Sequence, residues 1–149
     1  MNKKMSQRGF TLIELVVVIT ILGILAAFAI PRFASMEGQA RTAAVQGLAG
    51  SLRSGAALAH AVWLAQGNPA STSITMEGQT ITMSNGYPNA ATVDDTLVEY
   101  AGFGLAAGAS AVFTKETPSG AAIANCFVTY TPPAAANQAP TVVSTTGGC

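Results

Sequence analysis

Charged side chains are scarce in this sequence, in which Asp, Glu, Lys and Arg make up only 9% of 149 residues. Histidine occurs once and cysteine twice, so the residue types that build metal sites and many catalytic sites are nearly absent. The sequence contains no H-E-x-x-H motif, no G-x-S-x-G motif and no glycine-rich phosphate loop. We therefore expect a protein that is not an enzyme and that uses no metal ion or other cofactor.

Basic residues are few outside the first nine positions. Removing residues 1–9 takes away three of the seven basic side chains and none of the seven acidic ones, so four positive and seven negative charges remain, a net charge of −3. The remainder contains no basic patch, and we predict no nucleic-acid partner.

Hydrophobic residues, by contrast, make up 50% of the chain, and many of them form one run near the start. No charged residue occurs from Leu15 to Ile30, and the run counted from Phe10 has 21 residues, enough for about 30 Å of helix. This length spans the core of a bilayer. Because Lys3, Lys4 and Arg8 precede the run, the positive-inside rule predicts a cytoplasmic N-terminus and a body on the other side of the membrane.

Two interpretations of this N-terminal segment compete. It is either a conventional signal peptide cut at the small-x-small site Ala27–Phe28–Ala29, or a retained membrane anchor. The apolar run is long for a signal peptide, and Glu14 lies near its entrance, where a charge opposes the export pattern. A carboxylate in lipid costs about 2.5 to 3.5 kcal/mol. Glu14 therefore either snorkels to the headgroups near the positive helix start or has a cationic partner.

The helix is predicted to continue past the membrane segment. Beyond Pro31 the apolar residues recur every three to four positions, at Phe33, Met36, Ala40, Ala44, Leu48, Leu52, Ala56, Ala59 and Trp63. We expect Pro31 to kink the helix, with Gly23 to Pro31 as its weakest stretch. Met36 and Trp63 are predicted core residues. His60, the only histidine, has no acidic or thiol neighbour at ligand spacing and is predicted to be structural.

The remaining sequence predicts β structure. Residues 73–83 alternate as two strands about a Glu77–Gly78 turn, residues 84–95 form a loop, and residues 110–132 form a hairpin about residues 117–120. Residues 132–140 should be extended and polyproline-like, and residues 141–149 should form a last edge strand. An exported chain with two cysteines favours one disulfide, Cys126–Cys149, which closes a loop of about 24 residues.

The stretch Gly9-Phe10-Thr11-Leu12-Ile13-Glu14, behind a basic leader and ahead of an apolar helix, resembles the signature of type IV pilins and pseudopilins. The resemblance implies that a prepilin peptidase cuts after Gly9 and methylates the new N-terminal residue, Phe10. It also implies that Glu14 pairs with the N-terminal amine of a neighbouring subunit, and that helix is lost between Gly23 and Pro31 in the filament. The implied fold is α+β, the pilin "lollipop" with a long N-terminal helix packed on a small antiparallel sheet.

Further stretches resemble the mannose-sensitive haemagglutinin type of type IVa pilin: residues 31–61, the "NGYP" loop, "CFVTYTP" and the final "GGC". A pseudopilin of type II secretion is the alternative, although its calcium loop has no counterpart beyond Asp94, Asp95 and Glu99, which are predicted to form a solvated loop. A membrane-anchored carbohydrate-binding module is a third hypothesis. Its candidate sugar-stacking residues are Trp63, Tyr87, Tyr100 and Tyr130.

The sequence therefore predicts a structural subunit of a type IV pilus, which acts in adhesion, attachment or motility. We expect a leader at residues 1–9, a transmembrane and filament-core helix at 10–30, its amphipathic continuation at 31–66 and a β-rich part at 67–149. The expected partners are further copies of the chain, the prepilin peptidase and an inner-membrane assembly machinery, with a surface or glycan receptor as a further candidate. The subunit is expected first in the inner membrane and then in an extracellular pilus.

Overall fold

The computed structural model describes residues 9–67, 73–136 and 138–149. One helix, α1, runs from Leu12 to Ala65 and has 54 residues. Gly23 and Pro31 both lie inside it, and the helix is assigned without a break across each. Since proline has no N–H, the backbone bond that residue 31 would donate is absent, which leaves a weak point in the middle of the helix.

The first sheet is a three-stranded antiparallel meander. Its strands are β1 (Ser73–Met76), β2 (Gln79–Ser84) and β3 (Tyr87–Pro88), in that order. The turns between them are Glu77–Gly78, with φ of 50° and 84°, and Asn85–Gly86, with φ of 52° and 86°. Two consecutive positive φ angles are what a two-residue type I′ hairpin requires, and Asn and Gly adopt them most readily.

The second sheet is a four-stranded antiparallel meander, β4-β5-β6-β7. Its strands are β4 (Phe103–Ala107), β5 (Ala111–Glu116), β6 (Ala122–Thr131) and β7 (Thr141–Thr145). A single turn of 3-10 helix, Asp94–Thr96, lies between the two sheets in the chain. The hairpin about residues 117–120 and the edge strand after residue 140 agree with the sequence prediction. Residues 132–136 and 138–140 contain no strand or helix.

By internal contacts the chain divides into two compact units between Glu37 and Gly38. The hydrophobic core lies in the second unit, where one face of α1 packs with both sheets. The larger cluster joins Val45, Leu48, Ala49, Leu52 and Ala56 to Val93, Phe113, Cys126, Val128 and Tyr130. A smaller cluster joins Ala59 to Ile74, Ile81 and Met83, with Trp63 packed partly buried against it.

The predicted apolar stripe is correct only in its second half. Leu48, Leu52, Ala56 and Ala59 are buried, but Ala40 and Ala44 are exposed, and Phe33 and Met36 are 68% and 60% exposed. The prediction of Met36 as a core residue is therefore wrong for the single chain. Val45 and Ala49 are buried instead. The sheets cover the helix face that carries Val45, whose side chain is larger than alanine, and they leave the face with Ala40 and Ala44 exposed.

The prediction from the sequence did not include two strands, β3 and β4. The loop predicted for residues 84–95 contains β3, which pairs Ser84 with Tyr87 and Met83 with Pro88. Strand β4 was not predicted at all. The α+β fold with one long N-terminal helix and a small antiparallel sheet is confirmed.

Candidate processing and assembly site

The start of α1 is closed by a reciprocal pair of side chains, Thr11 and Glu14. The backbone N–H of Thr11 donates to Glu14 Oε2 at 2.8 Å, and the Thr11 hydroxyl donates to the same oxygen at 2.7 Å. In return, the backbone N–H of Glu14 donates to Thr11 Oγ1 at 3.3 Å. This arrangement is a capping box, which satisfies N–H groups that have no partner within the helix. The T-x-x-E signal ahead of an apolar run was present in the sequence, but it was not used to predict a role for Thr11.

The capping box explains how Glu14 is accommodated by a single chain. A carboxylate at the helix start interacts favourably with the positive end of the helix dipole, and its hydrogen bonds replace part of the lost hydration. Both described hydrogen bonds end on Oε2. The second oxygen, Oε1, takes no part in the capping box, so the carboxylate has acceptor capacity for another donor.

Gly9 and Phe10 precede the helix and have no regular secondary structure. A Cβ atom added to Gly9 would meet nothing within 4 Å, and the Phe10 side chain is 88% exposed. The peptide bond between these residues is therefore on an open, non-helical stretch directly in front of the capped helix. The leader residues Lys3, Lys4 and Arg8 lie outside the described residues.

The helix behind this stretch exposes an apolar surface on all sides. The large apolar side chains from Leu12 to Met36 range from 79% exposed at Leu12 to 40% exposed at Val16. Within the described residues α1 is the one helix long and apolar enough to cross a membrane. Near its start, Phe10, Ile13, Glu14, Val17 and Val18 line a depression of about 380 Å³. Water is an unfavourable environment for such a surface, which needs lipid or protein around it.

The two cysteines form a disulfide, as the sequence predicted. Cys126 is buried in β6 and is bonded to Cys149. The neighbouring Gly148 N–H donates to the carbonyl of Asn125 at 2.9 Å, and the carbonyl of Cys149 accepts a hydrogen bond from Arg41 Nη1 at 3.4 Å. The segment after β7 is thus held to the sheet and to α1 within the same compact unit.

His60 has a structural role. Its Nδ1 lies 2.6 Å from the carbonyl oxygen of Gly86, which only accepts, so this ring nitrogen carries the hydrogen. The imidazole stacks on Tyr87 with ring centroids 4.1 Å apart and planes 4° apart, and on Trp63 at 5.7 Å. These contacts join α1 to the β2–β3 turn. Across residues 9–67, 73–136 and 138–149, no group of three His, Cys, Asp or Glu side chains is arranged to hold a metal ion.

The four candidate sugar-stacking residues are largely engaged in the fold. Tyr130 is completely buried, its hydroxyl donates to the carbonyl of Pro88 at 2.7 Å, and it has no free ring face. Burial, together with the nearby phenol of Tyr87, raises the pKa of Tyr130 above its ordinary value. Tyr100 packs edge-on against Phe113, and its pKa is raised by burial and by the Asp94 carboxylate. One face of Tyr87 is covered by His60, and Trp63 packs partly buried against the smaller core cluster.

The capped glutamate, the exposed apolar helix and the open Gly9–Phe10 stretch together fit one class of protein, chains that are anchored in a membrane by an N-terminal helix. The family model of the prokaryotic N-terminal methylation motif matches residues 4–30. The chain is 51% identical over 55 residues to the "Type IV narrow pilus major component PilA5" of Thermus thermophilus. It is 44% identical over 50 residues to a "Type IV major fimbrial protein FimA" of Dichelobacter nodosus.

These matches show that the N-terminal third of the chain is similar to the N-terminal segments of type IV pilins and carries their methylation motif. They cover 37% and 34% of this chain and only 47% and 32% of the two relatives. The matched part thus spans less than half the length of these curated relatives. No solved structure matches the chain. The resemblance to the mannose-sensitive haemagglutinin type remains a prediction.

Proposed function

We propose that this chain is the structural subunit of a type IV pilus, a surface fibre made of many copies of the processed protein. The observation that carries the proposal is the apolar surface of α1 from Leu12 to Met36, which nothing in the described part of the chain covers. Lipid covers such a helix before assembly, and the helices of other copies cover it in a fibre. Transfer between these two apolar environments loses little hydrophobic free energy.

Processing prepares the subunit for this transfer. A prepilin peptidase cleaves after Gly9 and methylates Phe10, which leaves a cationic amine at the front of the mature chain. The open backbone and the missing side chain of Gly9 suit an extended substrate at the membrane surface. Mass spectrometry of the surface protein should find a chain that begins at Phe10 with one added methyl group. A chain that begins at Ile30 would contradict the proposal.

Glu14 then selects the register of assembly. In the membrane its Oε2 accepts the hydrogen bonds of Thr11, and in the fibre its Oε1 accepts a hydrogen bond from the Phe10 amine of a neighbouring subunit. The Glu14 carboxylate is tolerated in the single chain, but the cost of removing it from water is fully compensated only when it lies beside a cation. In the fibre, the stretch from Gly23 to Pro31 unfolds from its helical conformation, so that the helices can pack together.

The subunit waits in the inner membrane with its leader in the cytoplasm, and an inner-membrane assembly machinery lifts it into the extracellular fibre. The chain performs no chemistry of its own. Adhesion, attachment or motility follows from the fibre, and its surface or glycan receptor would be met by the β-rich part.

A type II secretion pseudopilin is the second candidate, since it shares the same N-terminal signature. The names of the matched relatives favour a pilin. The deciding experiment is electron microscopy of sheared surface material together with mass spectrometry of its main protein band. Long fibres composed of this chain support the pilus. Absence of such fibres from cells that contain the processed chain would contradict it.

A further inference from the structure

A groove lies along α1 within the second compact unit, between the helix and the segment that follows the 3-10 turn. It has a volume of about 670 Å³. One wall consists of small residues of the helix, namely Gly47, Gly50, Ser51 and Ser54. The rim across from it consists of Val98 and Glu99. Val98 is 100% exposed, although it is an aliphatic side chain. We call this feature the α1 groove.

The rim of the α1 groove is firmly held. A Cβ atom added to Gly55 would lie 2.6 Å from Thr96 Oγ1, so Thr96 packs directly on the helix backbone. The Thr96 hydroxyl donates to the carbonyl of Val93 at 2.6 Å, and the N–H of Leu97 donates to Asp94 O at 2.9 Å. Val98 and Glu99 are thus held in an exposed position by contacts on the preceding residues. A single exposed aliphatic side chain is common on protein surfaces, so Val98 gains its meaning from its place beside a groove that small residues leave open.

The first compact unit carries a segment with complementary properties. Phe33 and Met36 are 68% and 60% exposed, and Arg32 lies beside them on the exposed helix. Among the described basic residues, Arg41, Arg53 and Lys115 each donate to a backbone carbonyl, of Cys149, Val142 and Gly102 respectively. Arg32 has no such side-chain partner within the described residues, and neither has the carboxylate of Glu99. The α1 groove has a wall of small residues and a negative charge on its rim. The segment around Arg32 has large exposed apolar side chains and a free positive charge, so the two surfaces are complementary.

We propose that the α1 groove receives the segment Ile30–Met36 of a second copy of this chain, with Arg32 of that copy facing Glu99. The proposal rests on the proposed function and adds a particular contact to it. The large side chains of Phe33 and Met36 fill the space that the glycines and serines leave, and Val98 packs against them. The Arg32–Glu99 pair adds orientation more than affinity, because an ion pair at a surface contributes little by itself.

A charge exchange tests the pairing in whole cells. Arg32→Glu and Glu99→Arg should each lower the yield of sheared fibres about threefold to tenfold, because like charges then meet at every repeat of the contact. The double variant with both changes restores the pair with reversed sign and should recover most of the yield. The amount of processed subunit in the membrane and its resistance to protease should be unchanged in all three. Wild-type yield in both single variants, or no recovery in the double variant, would overturn the pairing.

A cross-linking experiment tests the location without relying on charge. Val98→Cys combined with Met36→Cys should give covalent dimers and higher ladders in assembled fibres treated with a short thiol-to-thiol cross-linker. The native cysteines do not react with the cross-linker, because Cys126 and Cys149 are bonded to each other and offer no free thiol. Glu77→Cys combined with Met36→Cys is the matched control, since Glu77 is exposed on the β1–β2 turn and does not line the α1 groove.

The two proposals fail in different ways. If the wild-type chain forms no fibres, the proposed function itself is wrong. If wild-type fibres form but the Val98–Met36 pair cross-links no better than the Glu77–Met36 control, the α1 groove holds something other than this segment and only the present proposal is wrong. A ladder specific to the Val98–Met36 pair supports it.

Discussion

One carboxylate oxygen of Glu14 accepts two hydrogen bonds from Thr11, one from its backbone N–H and one from its hydroxyl. The interaction closes the start of a helix that otherwise exposes only apolar side chains over its first turns. Helix capping and the proposed pairing between subunits are therefore compatible, because capping uses one oxygen of the carboxylate and leaves the other available. They also make opposite predictions for two conservative substitutions.

Glu14→Gln separates the charge from the cap. Glutamine also serves in a capping box, so the helix start should be retained, while the negative charge is lost. If Glu14 pairs with a neighbouring amine, this variant should insert and be cleaved normally but give several-fold fewer fibres, measured by shearing and electron microscopy. Glu14→Ala, which loses both the cap and the charge, should be at least as defective in assembly and still be processed.

Thr11→Val is the matched control for that variant. It removes the hydroxyl and keeps the charge of Glu14, at a cost of about 1 kcal/mol to the helix start. Its fibre yield should stay close to wild type. A strong defect in Thr11→Val together with normal assembly of Glu14→Gln would show that capping alone explains the glutamate, and the pairing with the Phe10 amine would be wrong.

Gly55 and Gly47 lie on the same helix but should respond oppositely to alanine. Gly55→Ala places a methyl group against Thr96, which the chain accommodates only by moving the 3-10 turn, and the cost should be about 1 to 3 kcal/mol. At Gly47 nothing lies within 4 Å of the added Cβ, so alanine should stabilise the helix by about 0.5 to 1 kcal/mol. Thermal unfolding of the full chain in detergent should therefore show a lower midpoint for one variant and a higher midpoint for the other. Equal shifts would contradict the close packing at Thr96.

Much of this structure follows from local sequence patterns. The apolar run, the Glu77–Gly78 hairpin and the final edge strand have strong periodicity or turn chemistry, and the structure contains all three. Two further local signals were present but unused. Thr11 with Glu14 is a capping box, and Asn85–Gly86 is a type I′ turn that predicts the return strand β3.

Other features depend on distant parts of the chain. Strand β4 has the sequence Phe-Gly-Leu-Ala-Ala, in which glycine and alanine have low β propensity, and it is a strand because β5 supplies its hydrogen-bonding partner. The burial of Val45 instead of Ala44 depends likewise on which helix face the sheets cover. At the candidate site, residue types indicated the processing signal, but they gave no indication of the α1 groove, which exists only because the 3-10 turn packs on Gly55.

The disulfide should stabilise the second compact unit. Cys126 and Cys149 are 23 residues apart, and closing a loop of this size is worth about 3 kcal/mol in the chain-entropy model. Cys126→Ser should therefore lower the thermal midpoint and the protease resistance of the subunit without affecting cleavage after Gly9. Wild-type protein treated with reductant should behave in the same way. If heat and protease resistance are equal with and without reductant, the bond contributes no stability.

Tyr130 should make the folded state sensitive to strongly alkaline pH. Burial raises the pKa of its phenol above the value of 10.0 that it has when exposed, so the unfolded chain loses this proton at a lower pH than the folded chain. The stabilising contribution is complete below pH 10 and is lost as the pH rises above it, by up to about 1.4 kcal/mol per pH unit. Tyr130→Phe removes the proton and the hydrogen bond to Pro88, so it should be less stable than wild type at pH 7 by about 1 to 3 kcal/mol. Denaturant titrations of both chains between pH 8 and about 12 measure the difference, and it should shrink above pH 10. A constant difference would mean that the Tyr130 phenol is not protected from ionisation by the fold, since Tyr100 is common to both chains.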